Sequence, residues 1–304
     1  MSTELKSEIL SYMKCMIFGS SGYLGWHLKR SLEALRHEVV IPKTNRGDRV
    51  DILNANQLDE LLWDVDIIFF FAGRTGTWAS FDESASFIDL NLSGLDNVLR
   101  HVSRSEYRPR IVFPSSRLVF KGSDDLLCED APKEAKTVYA ATKLAGEHLL
   151  HAYAAAFELP FTICRISVPY GSRGGRNQSY GTIGQFVTQA KVNRKVTLYG
   201  EGQQKRTFTH IDDLCELIIQ LGFAKNALNE SFNLPGENLS LIYAAERIAE
   251  KYSAKLCTTP WEDRHLSIES GSTAFSGQKV YRTLGKVSLN SIDNWLESSP
   301  SDCL

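Results

Sequence analysis

Gly19, Gly22 and Gly25 follow directly on the apolar run Lys14-Cys-Met-Ile-Phe18 and open a stretch, Tyr23 to Leu35, whose apolar residues recur at helical spacing. A strand running through a glycine turn into a helix constrains the fold more than any other feature of the chain. Small residues let the backbone come close to a pyrophosphate, and the helix N-terminus offers it N–H groups and a positive dipole end. In this setting Gly19-Ser-Ser21-Gly22-Tyr23-Leu24-Gly25 reads as a dinucleotide cradle rather than a turn that merely tolerates glycine.

The rest of the first half repeats the strand–helix alternation. Glu38–Ile41 predicts a second strand, Arg49–Ile52 a third, Leu58–Trp63 a short helix and Val65–Phe71 a nearly all-apolar strand. Asp89–Val102 predicts a helix, Arg110–Phe113 a strand, Tyr139–Phe157 a long helix rich in Ala and Leu, and Phe161–Cys164 another strand. Such alternation means βαβ units, hence an α/β fold with a doubly wound, Rossmann-type parallel sheet buried on both faces. After about Arg165 the pattern breaks up. A Gly/Ser/Arg/Asn-rich loop over 171–181 precedes a helix at 183–192, an apolar Val196–Tyr199, a polar stretch to Phe208, a strand at Phe232–Leu234 and a helix at Leu241–Tyr252. The expected organisation is a dinucleotide-binding domain over 13–165 with returning segments at about 208–234. A smaller C-terminal α/β substrate-binding region spans 166–207 and 235–304, and residues 1–12 form a leader or a short surface helix.

Composition excludes several classes. The chain has 304 residues, 43% hydrophobic and 23% charged, with a formal charge of -2, a balance that gives no hint of nucleic-acid or membrane binding. Seven histidines are scattered without metal-ligand spacing, so no metal is expected. Six cysteines stand far apart with no Cys-x-x-Cys, as reduced thiols of a cytoplasmic protein do, and read as small buried apolar residues. Ile67–Phe71 is far shorter than the ~20 residues a membrane span needs, and the first dozen residues carry Glu4 and Glu8 and no apolar core.

The chemistry is carried by Tyr139-Ala-Ala-Thr-Lys143, 23 residues beyond Ser116. Residues four apart share one helix face. A free tyrosine, pKa about 10, is a poor acid or base near neutrality. A lysine ammonium one turn away favours the phenolate and brings it toward the working pH. Ser116 could hold a substrate oxygen while Tyr139 moves its proton, and Lys143 could also reach a nicotinamide ribose. Where NAD sites place an acid after the second strand, this chain has Lys43 and Arg46, which suit a 2′-phosphate, so NADP(H) is favoured over NAD(H). Arg206, in a polar glycine-containing stretch, suits a diphosphate.

With these residues in place, the sequence resembles the extended short-chain dehydrogenase/reductases, the NAD-dependent epimerase/dehydratase family of nucleotide-sugar enzymes, from about Met13 to about Gly236. Gly19, Gly22 and Gly25 match its glycine motif, and Asp51-Ile52 resembles its adenine-contacting pair. Ala72-Gly73 falls where the family has Ala-Ala, and Asn91-Leu-Ser-Gly94 is similar to its Asn-Val-x-Gly. Ser115-Ser116-Arg-Leu-Val-Phe120 matches Ser-Ser-x-x-Val-Tyr, and Tyr139 with Lys143 matches Tyr-x-x-x-Lys. Arg206-Thr-Phe-Thr-His-Ile-Asp-Asp213 is similar to the motif whose arginine contacts the substrate diphosphate. The resemblance implies Ser116, Tyr139 and Lys143 as catalytic residues, with Ser115, Ser116 and Arg206 toward a nucleotide-sugar substrate.

The departures narrow the reaction. Dehydratases of the family follow the catalytic hydroxyl with Asp and Glu, and epimerase/reductases that make GDP-fucose place a cysteine there. Here Arg117 and Leu118 follow Ser116, which disfavours elimination and 3,5-epimerisation. Val168 stands where the family often has a phosphate-contacting asparagine, as in 4-ketosugar reductases. A nucleotide-sugar 4-ketoreductase is therefore the first expectation and a 4-epimerase with tightly bound NAD the second. A non-catalytic dinucleotide-binding or redox-sensing protein is the rival from another class. The apolar circumference of Tyr139–Phe157, with Leu144, Leu149, Leu150 and Ala154, predicts a homodimer built on that helix and Asp89–Val102.

Overall fold

The computed structural model describes residues 12–172 and 181–298; the leader up to 11 and most of the polar loop over 171–181 lie outside them. Up to residue 166, strands and helices alternate as β1 (Lys14–Phe18), α1 (Tyr23–Ala34), β2 (Glu38–Val40), α2 (Ala55–Asp59), β3 (Ile67–Phe70), α3 (Gly94–Arg104), β4 (Arg110–Ser116), α4 (Val138–Phe157) and β5 (Phe161–Ile166). Then come β6 (Val168–Tyr170), α5 (Thr182–Asn193), β7 (Lys195–Tyr199), β8 (Lys205–His210), α6 (Ile211–Phe223), β9 (Glu230–Asn233), β10 (Glu237–Ser240), α7 (Leu241–Lys251) and β11 (Lys255–Thr259).

The main sheet has the order β2-β1-β3-β4-β5-β9, and every pair in it is parallel. From β1 the chain steps outward to β2, then crosses to β3 on the other side. This reversal opens a crevice at the carboxyl ends of β1 and β3, where ligands of doubly wound sheets bind. Neighbouring residues of each strand serve opposite faces, as strand geometry requires. Ile17, Phe69 and Val112 pack against Leu28 and Leu32 of α1 and Leu214 and Ile218 of α6. Met16, Ile68, Phe70 and Phe113 pack against Val98, Leu99 and Val102 of α3 and Leu150 of α4.

Several segments differ from expectation; the short helix runs over Ala55–Asp59 rather than Leu58–Trp63. Arg49–Ile52 is not a strand, and the main sheet ends at β2. Thr44 and Asp48 close a turn through a 2.8 Å backbone hydrogen bond, Gly47 takes a left-handed φ of 87°, and Lys43 and Arg49 form only an isolated bridge. Beyond it, the Asp51 carboxylate accepts the Leu53 N–H at 3.0 Å and Asn54 caps α2, so turn chemistry takes over the backbone groups a ladder would need. A further difference is α6, buried along almost its whole length. Its polar residues Asp212, Glu216 and Gln220 form only a narrow stripe, with Gln220 donating to Glu216 at 2.7 Å, and the rest of its surface is largely apolar.

The C-terminal part builds its own small core from Val168, Phe186, Val196, Phe208, Ile248 and Trp295. Its strands pair as β10-β8-β6 and β11-β7. A strap over 269–276 ties this part to the region after β4. The N–H groups of Ser123 and Leu127 donate to Ser272 and Ala274, while the Thr273 N–H donates to Lys205 of β8. Gly122 is indispensable here, since a Cβ on it would stand 1.5 Å from the Ser270 carbonyl oxygen.

The apolar residues of α4 are largely claimed by the chain itself. Leu150 is 1% exposed, Leu149 and Ala154 pack against the same core, and Leu144 packs beside Phe120. They are thus not the unpartnered face the sequence suggests. Of the cysteines, Cys15, Cys164 and Cys215 are buried as expected, whereas Cys128 is exposed and Cys257 half-buried. Burial pushes the Cys15 and Cys164 thiols up to about 12, which makes them inert. Among the described residues there is no cluster able to hold a metal ion, and no helix is long and apolar enough to cross a membrane.

Candidate active site

At the crevice the three glycines have different duties. Gly19 has a φ of 83°, and a Cβ on it would meet the Phe71 carbonyl at 2.5 Å. A Cβ on Gly25 would stand 2.3 Å from the Gly19 carbonyl oxygen, so glycine is what lets α1 abut the turn. Gly22 is different: its Cβ would find only the Gly19 oxygen, at 3.5 Å. It is the N-cap of α1, and that helix has no side-chain cap and no acid in its first turn. Uncapped amides at the positive end of a helix dipole, beside an unfilled position, fit a pyrophosphate. Ser21 is exposed on the turn, and Tyr23 and Leu24 are half-buried against the core, the Tyr23 hydroxyl donating to the Gly171 carbonyl at 2.8 Å.

The far wall of the crevice follows β3. Ala72 is half-buried, and Gly73, at φ 147°, approaches Asn91 so closely that a Cβ would lie 2.6 Å from its Oδ1. Asn91 sits in a π-helical turn, Asp89–Ser93, directly before α3. Its Oδ1 accepts the Arg74 N–H at 2.6 Å, and its Nδ2 donates to the Arg74 carbonyl and to Thr142 Oγ1, both at 3.0 Å. One buried amide thereby fastens the loop after β3 to the residue preceding Lys143.

Ser116 ends β4, 7% exposed, and its Oγ accepts the Leu118 N–H at 3.2 Å. Tyr139 lies in the first turn of α4, half-buried, edge-on to Phe87 with centroids 6.5 Å apart. That turn is capped by Thr137, which accepts the Ala140 N–H at 3.1 Å. Lys143 Nζ donates to the Pro114 carbonyl at 2.9 Å and sits 4.7 Å over the Phe113 ring. Burial pulls its pKa down to about 8, with Glu147 opposing the fall. The end of β4 and the start of α4 are thus locked together, Ser116 on one and Tyr139 on the other. Ser115 points the other way, into a buried pair, where its hydroxyl donates to Glu147 at 2.5 Å.

The remaining candidates lie apart. Lys43, Arg46 and Asp51 are exposed beyond β2, on the flank where the adenosine end of a dinucleotide would lie; Ile52 is buried, with its Cδ1 against Gly94. Arg206 is 1% exposed; its guanidinium donates to Glu269 at 2.5 Å and to the carbonyls of Lys205 and Gly271. Beside it stands a residue that sequence reasoning used only to exclude reactions: Arg117, whose guanidinium donates to Thr273 Oγ1 at 3.1 Å. Glu269 and Thr273 escaped notice because the strap that delivers them carries no motif.

Uncapped amides at the switch point of a doubly wound sheet, with a tyrosine and lysine on a helix of the opposite face, define a Rossmann-fold protein of the extended dehydrogenase/reductase type. The sequence profile of the NAD dependent epimerase/dehydratase family matches residues 15–234, and the chain belongs to that family. It is 28% identical over 227 residues to the UDP-N-acetyl-alpha-D-glucosaminuronate decarboxylase of Bacillus cytotoxicus, covering 68% of this chain and 70% of that protein. To a probable UDP-glucuronate 4-epimerase of Rhizobium meliloti it is 26% identical over 239 residues, 69% and 68% of the two chains. Among solved structures, the UDP-glucuronic acid 4-epimerase of Bacillus cereus, in complex with UDP-glucuronic acid and NAD, superposes with a TM-score of 0.80 at 23% identity. The superposition covers 94% of this chain and 97% of that one, a likeness of fold.

Proposed function

We propose that the chain interconverts a hydroxyl and a ketone at carbon 4 of a nucleotide-activated sugar, as a 4-epimerase. The observation that carries this reading is the Lys143–Pro114 hydrogen bond that ties the start of α4, with Tyr139, to the end of β4, with Ser116, and the presence of Arg117 rather than an acid after Ser116. Tyr139 takes the proton of the sugar hydroxyl and returns it, while Ser116 hydrogen-bonds the same oxygen. Lys143 supplies the positive charge that favours the phenolate. A nicotinamide dinucleotide in the glycine cradle supplies the hydride exchange. Lys143 and the amides of α1 would hold it, and Arg206, buried and paired with Glu269, would meet the substrate diphosphate only by opening that pair. The absence of a dehydratase's acids leaves no group for elimination, and relatives that are 4-epimerases support inversion as the outcome.

One observation favours a second reading, the 4-ketoreductase. Lys43 and Arg46 stand exposed where an NADP 2′-phosphate would sit, and the Thr44 hydroxyl between them is buried without a hydrogen-bond partner. A reductase exchanges its cofactor every turnover, whereas an epimerase restores it. The test is to denature the purified protein, identify any released dinucleotide, and follow UDP-sugars by NMR alongside absorbance at 340 nm. Inversion at carbon 4 without net absorbance change supports the epimerase. Stoichiometric NADPH loss with an NDP-4-ketosugar supports the reductase. Neither signal with any nucleotide sugar overturns both. We also propose a homodimer through the outer face of α4, where Ala141, His148 and Ala152 are exposed; light scattering showing a monomer at micromolar concentration contradicts it.

A further inference from the structure

Arg117 follows Ser116 directly and opens the short turn Arg117–Val119. Its guanidinium makes a single hydrogen bond, to Thr273, and no carboxylate lies within ion-pair distance of it among the described residues. The acid that reaches it electrostatically, Glu269, is already paired with Arg206 at 2.5 Å. Burial, and then Arg206, hold the Arg117 guanidinium below the usual arginine range, while Glu269 and Tyr139 oppose that fall. Two arginines therefore share one carboxylate beside the catalytic phenol.

Arg117 is half-buried, and a cation withdrawn from water without a carboxylate partner is costly, so proteins keep such groups where a partner arrives. An arginine fork suits a planar carboxylate or a phosphate. Position decides between them. In the proposed site Ser116 addresses the reacting oxygen, and Arg117, bonded to Thr273, lies close enough to Tyr139 to feel its charge, which sets it toward the reacting end of the sugar. The diphosphate lies at the other end of the sugar, and Arg206 is placed deeper, on β8.

We propose that Arg117 is a specificity residue that selects nucleotide sugars carrying a carboxylate next to the reacting carbon, that is, nucleotide hexuronates. The carboxylate takes the guanidinium N–H groups that Thr273 leaves free and neutralises the charge Glu269 does not. This rests on the nucleotide-sugar reading of the site and adds to it the class of sugar.

The test is calorimetric titration of the dinucleotide-loaded protein with UDP, UDP-glucose and UDP-glucuronate. Wild type is expected to bind UDP-glucuronate about ten- to a hundred-fold more tightly than UDP-glucose, the range of a charge-assisted pair. Arg117→Met should erase that difference and leave UDP affinity unchanged, and Arg117→Lys should keep part of it. Equal binding of the two sugars by wild type overturns the proposal. So does a loss of UDP affinity in Arg117→Met as large as the loss for UDP-glucuronate, since Arg117 would then be a diphosphate ligand. If Arg117→Met does not fold, the wild-type ratio and Arg117→Lys decide. Failure of all three probes, and of dTDP-glucose, to bind wild type sinks the nucleotide-sugar reading itself.

Discussion

Glu147 holds Arg165 through both carboxylate oxygens, at 2.9 and 2.7 Å, each partner 5% exposed or less. The same carboxylate takes the Ser115 hydroxyl, and Arg165 also donates to the Glu129 carbonyl at 2.8 Å. The network therefore joins α4, β4 and β5 directly behind Ser116 and Lys143. Glu147→Gln is predicted to leave Arg165 buried and unpaired, at a cost of roughly 3–5 kcal/mol in urea unfolding. A loss under about 1 kcal/mol would mean that water or Glu129 compensates.

The glycine cradle separates fold from binding. Gly25→Ala is predicted to lower stability by about 1–3 kcal/mol, because its Cβ would overlap the Gly19 carbonyl. Gly22→Ala meets no such contact and is predicted to unfold like wild type, yet to bind NAD at least ten-fold more weakly. Thermal melts with dinucleotide titrations check both. Equal NAD affinity in Gly22→Ala and wild type would remove the pyrophosphate from this turn.

Tyr139→Phe is predicted to reduce turnover by about 10²–10⁴-fold while leaving dinucleotide affinity nearly intact, since the phenol moves the proton and contributes little to binding. Measuring kcat together with a fluorescence titration of NADH checks it. Activity within a few-fold of wild type would take Tyr139 out of the mechanism.

Lys143 gives a pH signature. Its folded pKa, pulled down to about 8, lies below that of an unfolded lysine, about 10.4. Between the two the unfolded chain binds more protons, so stability of the dinucleotide-free protein rises with pH through this window and the full cost is present below pH 8. At neutral pH that cost is on the order of 3 kcal/mol. Lys143→Met should lose this slope and melt higher than wild type at pH 7, while binding NAD(H) more weakly. Parallel melting curves from pH 7 to pH 10 in the two proteins would show that Lys143 does not titrate there.

Much of the fold could be read because its signals are local. The glycine spacing, the apolar runs of β1, β3 and β4, and the Tyr139/Lys143 interval each lie within a few residues. β4 extends further than its apolar core suggests, through Pro114, Ser115 and Ser116, because pairing with β5 continues to Ile166. In α6 the polar stripe of Asp212, Glu216 and Gln220 is too narrow among apolar residues to announce a helix. The Arg117–Thr273 and Arg206–Glu269 contacts join positions 156 and 63 residues apart, and no spacing rule reports such a meeting. Lys43 and Arg46 were visible as charges, but their turn was not, since it forms where a strand-like run loses its backbone partners to Asp51 and Asn54.

The strap over 269–276 also gives the molecule a temporal order. During synthesis the glycine cradle, Ser116, Tyr139 and Lys143 have all left the ribosome before Glu269 and Thr273 are made. Until then Arg206 lacks its carboxylate and Arg117 its hydrogen bond to Thr273. A nascent chain can therefore form its glycine turn before the charge around Arg117 and Arg206 is balanced. A carboxylate made late in synthesis settles a cation laid down 63 residues earlier.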